Sequence, residues 1–179
     1  IELTEKYDLE NYNISQTYSQ ISSYYINTNQ PEKALEALKK ADATAYSPTQ
    51  KISVQLEYVN YYSKFGDMQA AEKILNECKT AFDQDKRLWS IKKRLYNIEY
   101  VYYLQSKQYP KALEAAKKQE AEELNLSESI QNSVHYLTKG KIYSNMGNMS
   151  EAIKYLQMYI EAEDSLKIAN EQMASSEFA

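Results

Sequence analysis

The sequence is poor in the residues that make turns and cross-links. Its 179 residues include only three glycines, three prolines and one cysteine. Folds built from β-strands need turn residues at short intervals, so this shortage argues against them. A single cysteine excludes a disulfide within the chain and gives no indication of the redox compartment. The composition therefore favours an all-α chain.

Long apolar runs and an excess of positive charge are also missing. No apolar stretch approaches the roughly 18 residues that a membrane-spanning helix needs, and no signal peptide is visible. With a net charge of −4, the chain lacks the uniform basic field on which non-specific nucleic-acid binding relies. We therefore expect neither a membrane span nor nucleic-acid binding in this region.

Residues suited to catalysis or metal binding are scarce. His135 is the only histidine, and it cannot form a zinc site with Cys78 alone. The spacing around Gly66, Gly140 and Gly147 does not match a phosphate-binding loop. Cys78 falls on a predicted apolar helix face and is expected to be a core residue. The sequence therefore predicts no catalytic residue, no cofactor and no metal ligand, and an enzyme is the least favoured class.

Tyrosine, by contrast, is abundant, and its eighteen copies include a repeated pattern. An alanine follows a tyrosine nine residues later at four places: Tyr25 and Ala34, Tyr62 and Ala71, Tyr103 and Ala112, Tyr143 and Ala152. Each interval contains a turn position, at Asn29, Gly66, Lys107 and Gly147. Successive alanines of the pattern are 37, 41 and 40 residues apart. Each copy is thus predicted to be a helix, a tight turn and a second helix.

The copy from Tyr136 to Leu156 carries the pattern in its fullest form. Tyr136, Gly140 and Tyr143 share one face of its first helix, and Ala152 and Leu156 begin the buried stripe of its second. This copy resembles the tetratricopeptide repeat (TPR), a helix-turn-helix unit of about 34 residues that needs copies of itself as neighbours.

The resemblance implies an all-α fold, namely a right-handed α-α superhelix, or TPR-like solenoid, of about four antiparallel helical hairpins and a long C-terminal helix. We expect an array over 12–163 with hairpins at about 12–43, 48–82, 86–123 and 126–160. Residues 1–11 are expected to be a lead-in or the end of a preceding helix, and residues 164–179 a C-terminal helix extension or linker. The third hairpin is expected to begin with one long helix over about 86–107.

The tyrosines in phase with the repeat admit two interpretations. Tyrosine at four- and seven-residue spacing on a helix usually fills the space between stacked helices, and we favour this role over an exposed ligand-binding floor. The set comprises Tyr18, Tyr25, Tyr62, Tyr96, Tyr103, Tyr136 and Tyr143.

In TPR arrays the first helices of the hairpins line a concave groove. Carried onto this sequence, the resemblance implies a partner-binding groove of Gln16, Ser19, Ser23, Asn27, Asn60, Lys64, Arg94, Asn97, Gln105, Lys141 and Asn145. The set holds three cations and no acid, which would suit a peptide carboxylate or an acidic segment. The set does not reproduce the Lys/Asn/Arg clamp of the TPR proteins that bind chaperone tails, because those side chains do not recur at the positions of the clamp. A solvated helix face is the alternative interpretation.

The resemblance implies a non-catalytic domain that binds a protein or peptide. The stretch from Tyr159 to Gln172 is also similar to the sensory or regulatory regions of Bacteroidetes-type signalling proteins, in which a TPR array precedes a transmembrane helix, a coiled coil and a histidine kinase or helix-turn-helix output domain. That likeness implies two-component or transcriptional regulation, and a periplasmic location for the sensor. The alternative is a free-standing TPR scaffold or co-chaperone adaptor, which would be cytoplasmic. The chain opens on Ile1 and is interpreted as a piece of a larger protein.

Overall fold

A computed structural model describes residues 14–122 and 128–177 of the chain. Within these ranges the regular structure consists of eight α-helices and one 3-10 helix, with no strand. The α-helices are α1 (Ile14–Asn27), α2 (Pro31–Ala43), α3 (Pro48–Phe65), α4 (Met68–Gln84), α5 (Lys92–Gln105), α6 (Tyr109–Glu122), α7 (Glu128–Asn145) and α8 (Met149–Glu177), and the 3-10 helix is Lys86–Ile91. The predicted all-α helical-repeat fold is confirmed.

The chain divides into two compact units, Ile1–Ser106 and Lys107–Ala179. In the first unit, α1 packs on α2, α3 packs on α1, α2 and α4, and α5 packs on α3 and α4. Because short loops join α2 to both α1 and α3, α1 and α3 run antiparallel to α2 and parallel to each other. The boundary between the units lies within the segment 86–123 that was predicted as the third hairpin.

The core of the first unit consists of two clusters of buried side chains. The larger cluster joins α3, α4, the 3-10 helix and α5 through Leu56, Val59, Ala71, Leu75, Cys78, Phe82, Leu88, Leu95, Ile98 and Tyr102. The smaller one joins α1, α2 and α3 through Tyr18, Leu38, Ala41, Ala45 and Val54. The repeated alanines Ala34 and Ala71 have no exposed surface. Their small side chains allow the paired helices to approach closely.

Each of the four predicted turns contains one residue in the left-handed backbone conformation. The φ angles are 59° at Asn29, 99° at Gly66, 60° at Lys107 and 76° at Gly147. Each of these residues follows a repeated tyrosine by four positions. Backbone amides of the turns donate to carbonyls of those tyrosines, at 2.9 Å on Tyr25, 3.0 Å on Tyr62 and 3.0 Å on Tyr143. The same turn is therefore built with glycine, asparagine or lysine.

Side chains in the loops set where the helices of the first unit begin. The Ser47 hydroxyl accepts the Gln50 amide at 3.2 Å, and the Gln50 side chain accepts the Ser47 amide at 3.1 Å, which forms a capping box. Pro48 follows at the first helical position, where its missing amide costs nothing. Asp67 caps α4 by accepting the Ala70 amide at 3.0 Å. Each cap of this kind stabilises a helix by about 1 kcal/mol.

The second unit contains α6, α7 and α8, and its two longest helices meet at Gly140. A Cβ at this position would lie 2.9 Å from Cγ and Cδ2 of Leu156 in α8. The rings of Tyr143 and Tyr155 stack nearby, with centroids 5.5 Å apart. The Lys139 ammonium lies 2.6 Å from a carboxylate oxygen of Glu120, which joins α7 to α6. Glycine at 140 thus allows the close packing that was expected of a TPR hairpin.

The start of the third predicted hairpin differs from the expectation. The prediction of a single long helix over 86–107 was wrong, because a 3-10 helix occupies Lys86–Ile91 and α5 begins only at Lys92. The tighter 3-10 winding buries Leu88 in the core and leaves Trp89 exposed. Asp85 holds the start of this segment by accepting the Arg87 amide at 3.0 Å.

Some predictions fall wholly or partly outside the described residues, namely the lead-in at 1–11, residues 12–13 of the first hairpin, residue 123 of the third, residues 126–127 of the fourth and residues 178–179 of the C-terminal extension. The long C-terminal helix is present as α8, which has 29 residues. No helix in the described ranges is long and apolar enough to span a membrane.

Candidate functional site

Side chains of the first helices in the first unit line a small cavity of about 160 Å³. Its wall consists of Ser15, Gln16 and Ser19 from α1, Thr49, Gln50 and Ser53 from α3, Ile91 at the end of the 3-10 helix and Arg94 from α5. Seven of these eight residues have polar side chains, but carbon atoms form most of the cavity surface. The Ser15 hydroxyl is already engaged, since it donates to the Ala41 carbonyl at 2.8 Å.

A buried carboxylate holds the cation of this site in place. The Glu57 side chain is only 7% exposed, and its Oε1 lies 2.6 Å from Nη2 of Arg94. The Ser23 hydroxyl donates to Oε2 of Glu57 at 2.8 Å, and the Asn60 amide donates to the same oxygen at 3.4 Å. A buried charge is stable only when it is paired and hydrogen-bonded. Glu57 therefore joins α1, α3 and α5 and fixes the position of Arg94.

A second buried acid in the same unit is paired in a similar way. Oε1 of Glu99, in α5, lies 2.8 Å from the Lys79 ammonium of α4. Partial burial lowers the pKa of Lys79, but the hydrogen bond and charge of Glu99 raise that pKa by more, with a smaller contribution from Tyr103. Lys79 therefore stays charged, and the pair ties α4 to α5 away from the cavity.

The structure brings some of the predicted groove residues together and leaves others apart. Gln16, Ser19 and Arg94 meet at the cavity, while Ser23, Asn60 and Arg94 meet at Glu57. Asn27, Lys64, Asn97 and Gln105 are exposed elsewhere in the first unit. Lys141 and Asn145 are exposed on α7 of the second unit, where the Asn145 amide donates to the Lys141 carbonyl at 2.8 Å.

Sequence reasoning missed six residues of the site: Ser15, Thr49, Gln50, Ser53 and Ile91 at the cavity, and Glu57 beside Arg94. The predicted groove set contained no acid, yet Glu57 forms an ion pair with Arg94, a cation of that set. Acids on amphipathic helices usually face solvent, so the residue type alone gave no signal. The repeat gave no signal either, because the position five residues before the repeated tyrosine holds Gln20, Glu57, Ile98 and Thr138 in the four copies, and Gln20 is exposed.

The phased tyrosines fill space between helices, as expected. Tyr18 is buried, and the other six members of the set are half-buried. The ring of Tyr62 stacks on that of Tyr58 with centroids 6.1 Å apart, and the Lys79 ammonium donates a hydrogen bond to the Tyr103 hydroxyl at 3.4 Å. Tyr18 and Tyr25, however, also line an open cavity of about 460 Å³ between α1 and α2.

Cys78 and His135 are both buried, the first within the core of the first unit. Burial raises the pKa of the Cys78 thiol to about 12, with a smaller contribution from the charge of Glu77. The thiol is therefore protonated and unreactive at neutral pH. In the described part of the chain, no group of three or more histidine, cysteine or acidic residues is placed to hold a metal ion.

Comparisons with known proteins agree with this architecture. A family model described as 26S proteasome subunit RPN7 matches residues 2–116, which is more than half of the chain. A model described as tetratricopeptide repeat matches residues 136–165, within α7 and α8. The searches of curated proteins and of solved structures found no significant match. The repeat match supports a role in protein–protein interaction. The chain therefore belongs to the family described as 26S proteasome subunit RPN7, and its α7–α8 hairpin is a tetratricopeptide repeat.

Proposed function

We propose that this region is a non-catalytic scaffold that binds an extended segment of a partner protein along the α1, α3 and α5 face. The observation that carries the proposal is the cavity to which all three helices contribute side chains, because seven of its eight lining residues carry polar groups. Hydroxyl and amide groups at the cavity can hydrogen-bond to a peptide backbone or to polar side chains.

The chemistry of the cavity favours an acidic group in the bound segment. Arg94 uses Nη2 to reach Glu57, its guanidinium has further N–H donors, and its side chain lines the cavity. Because Glu57 already orients the guanidinium, a ligand carboxylate would lose little free energy in ordering it, and hydrogen bonds to those donors would have to outweigh the repulsion from the Glu57 carboxylate. Ser19 and Ser53 would supply additional donors. A peptide carboxylate or an acidic segment is accordingly the proposed ligand.

Selection from a displayed library of random peptides, with free carboxyl termini, tests this proposal. We expect the recovered peptides to be enriched in acidic residues. We also expect them not to bind the Ser53→Glu variant, because its new carboxylate would pair with the Arg94 guanidinium in place of the ligand. Gln69→Glu adds the same charge at an exposed position of α4 and serves as the control. Equal binding of the selected peptides to both variants would contradict the assignment of the site.

The family match favours a scaffold over a signalling sensor. The RPN7 model is described as a 26S proteasome subunit, and a role as a subunit that binds other proteins is part of our proposal for this chain. The sensor interpretation stays a prediction that depends on α8, whose 29 residues exceed the 18 of its partner α7. We also propose that the region binds no nucleic acid, and binding of RNA at low salt would contradict this.

A further inference from the structure

Helix α1 carries four serines, and three of them form hydrogen bonds to neighbouring helices. Ser15 and Ser22 donate to backbone carbonyls of α2, at 2.8 Å and 3.1 Å. Ser23 donates to the Glu57 carboxylate of α3 at 2.8 Å. The hydroxyls of these three serines therefore join α1 to the rest of the first unit.

Ser19 is the exception among the four serines. Like Ser15 it is only 2% exposed, yet among the described residues its hydroxyl has no hydrogen-bond partner. The hydroxyl does not donate to the Ser15 carbonyl one turn earlier, which is the common alternative for a serine within a helix. A buried hydroxyl is rarely left without a partner, because it has given up hydrogen bonds to water. Since Ser19 lines the cavity between α1, α3 and α5, we expect its partner to be a group that enters the cavity.

The other polar groups of the cavity wall suit a ligand that accepts hydrogen bonds. Thr49 and Ser53 of α3 also line the cavity, and neither hydroxyl has a hydrogen-bond partner in the part of the chain that the structure describes. Arg94 has N–H donors in addition to the one that reaches Glu57. An ionised carboxylate only accepts hydrogen bonds, at about four lone-pair positions. Three hydroxyls and a guanidinium therefore match a carboxylate.

The volume of the cavity limits the size of the group that enters it. At about 160 Å³ it is close to the roughly 150 Å³ of an engineered cavity that binds benzene, so it holds about six non-hydrogen atoms. The side chain of an aspartate or a glutamate, with about four or five such atoms, fits this space. Carbon atoms form most of the cavity surface, which suits the methylene groups that carry such a carboxylate.

We propose that the cavity takes one carboxylate of the bound segment, from an acidic side chain or from a carboxyl terminus, and that the Ser19 hydroxyl selects it. Ser19 donates to one carboxylate oxygen while the guanidinium of Arg94 donates to the other. This inference rests on the proposed function, and it adds the residue that determines which group of the ligand is bound.

Glu57 limits the negative charge that the cavity accepts. Its carboxylate lies 2.6 Å from Nη2 of Arg94, so the two charges of the pair balance each other. A carboxylate ligand adds one negative charge beside this pair, whereas a phosphate monoester adds about 1.5 to 2. The repulsion from Glu57 grows with the charge of the ligand. The site therefore favours a carboxylate over a phosphorylated residue.

Calorimetric titration of the whole chain tests the role of Ser19. The probe is an acidic peptide from the library selection whose binding Ser53→Glu abolishes, which places that peptide at the cavity. Ser19→Ala should weaken its binding by roughly ten- to a hundredfold, because a hydrogen bond to a charged group is lost. The urea midpoint of this variant should not fall, because no described group of the protein depends on the hydroxyl and alanine is the better helix former.

Ser22→Ala is the matched control on the same helix. Ser22 has no exposed surface, and its hydroxyl donates to the Ala34 carbonyl at 3.1 Å outside the cavity. Removing this hydroxyl leaves a buried acceptor without its donor, so the urea midpoint should fall. The affinity for the peptide should stay at the wild-type value. The two serines thus exchange their effects on stability and on binding.

A double-mutant cycle with the peptide identifies the carboxylate that enters the cavity. Each acidic residue of the peptide is replaced by its amide in turn, and a further peptide has an amidated carboxyl terminus. The change that removes the bound carboxylate should reduce affinity by about tenfold less in Ser19→Ala than in the wild-type chain. Where that carboxylate belongs to a side chain, phosphoserine in its place should bind at least about tenfold more weakly.

The outcomes distinguish this inference from the proposed function. If Ser53→Glu leaves the binding of every selected peptide intact, both are overturned. If Ser53→Glu abolishes binding but Ser19→Ala binds the peptide as the wild-type chain does, only the role of Ser19 is overturned. A urea midpoint that falls as far in Ser19→Ala as in Ser22→Ala would also overturn that role, and tighter binding of the phosphoserine peptide would overturn the selection of a carboxylate.

Discussion

Replacing Gly140 by alanine sets two opposing effects of known size against each other. Alanine is favoured over glycine in a helix interior by about 1 kcal/mol. The added Cβ, however, would lie 2.9 Å from Cγ and Cδ2 of Leu156. Rotation of the terminal methyl alone does not relieve the contact with Cγ, and overpacking of this kind costs roughly 1–3 kcal/mol. We therefore expect Gly140→Ala to destabilise the α7–α8 hairpin by about 1 kcal/mol.

A second substitution identifies the cause of that loss. In a Leu156→Ala background the clash is absent, so Gly140→Ala should stabilise the hairpin by about 1 kcal/mol. The coupling free energy between the two sites is then roughly 2 kcal/mol. Amide hydrogen exchange in α7 measures the opening free energy for the four proteins of the cycle. The reasoning is refuted if Gly140→Ala has the same effect in both backgrounds, or if it stabilises the chain that retains Leu156.

Three further predictions concern the site, the core and the last helix. Arg94→Ala leaves the carboxylate of Glu57 buried without its cation, and urea unfolding should show a loss of about 2 kcal/mol that Glu57→Gln in the same chain partly recovers. Since burial raises the pKa of Cys78 to about 12 from 9.0, the unfolded thiol ionises first. The free energy of unfolding should thus fall as pH rises from about 9 towards 12, and less steeply in Cys78→Ala. If the sensor interpretation holds, truncation of the full-length protein after Tyr159 should abolish its signalling output while circular dichroism shows a retained helical fold; intact output would contradict it.

The helical hairpins α1–α2, α3–α4 and α7–α8 could be predicted from the sequence because local spacing determines each of them. A tyrosine, a left-handed turn residue four positions later and an alanine five positions after that occur four times. Helical periodicity alone then decides which side chains are buried, as at Ala34 and Ala71. The 3-10 helix before α5 was missed because its composition does not differ from that of an α-helix, and only the burial of Leu88 beside an exposed Trp89 distinguishes it.

The candidate site could be predicted only in part. Arg94 was identified from its place on a first helix, but its partner Glu57 is 37 residues away in the sequence. No local pattern specifies which side chains meet across that distance. Thr49 and Ser53 were missed for a related reason, since hydroxyl residues are common on helix surfaces and only the packing of α1, α3 and α5 encloses these two.

The left-handed turns have a consequence for how the chain folds. Asn29, Gly66 and Gly147 adopt one backbone form, and the two helices that each of them joins pack on each other over contacts between neighbours in the sequence. Domains dominated by such short-range contacts collapse quickly, and ordering can begin at any repeat and spread to the next. A nascent chain emerging from the ribosome could therefore complete its first pair of helices while later pairs are still being synthesised.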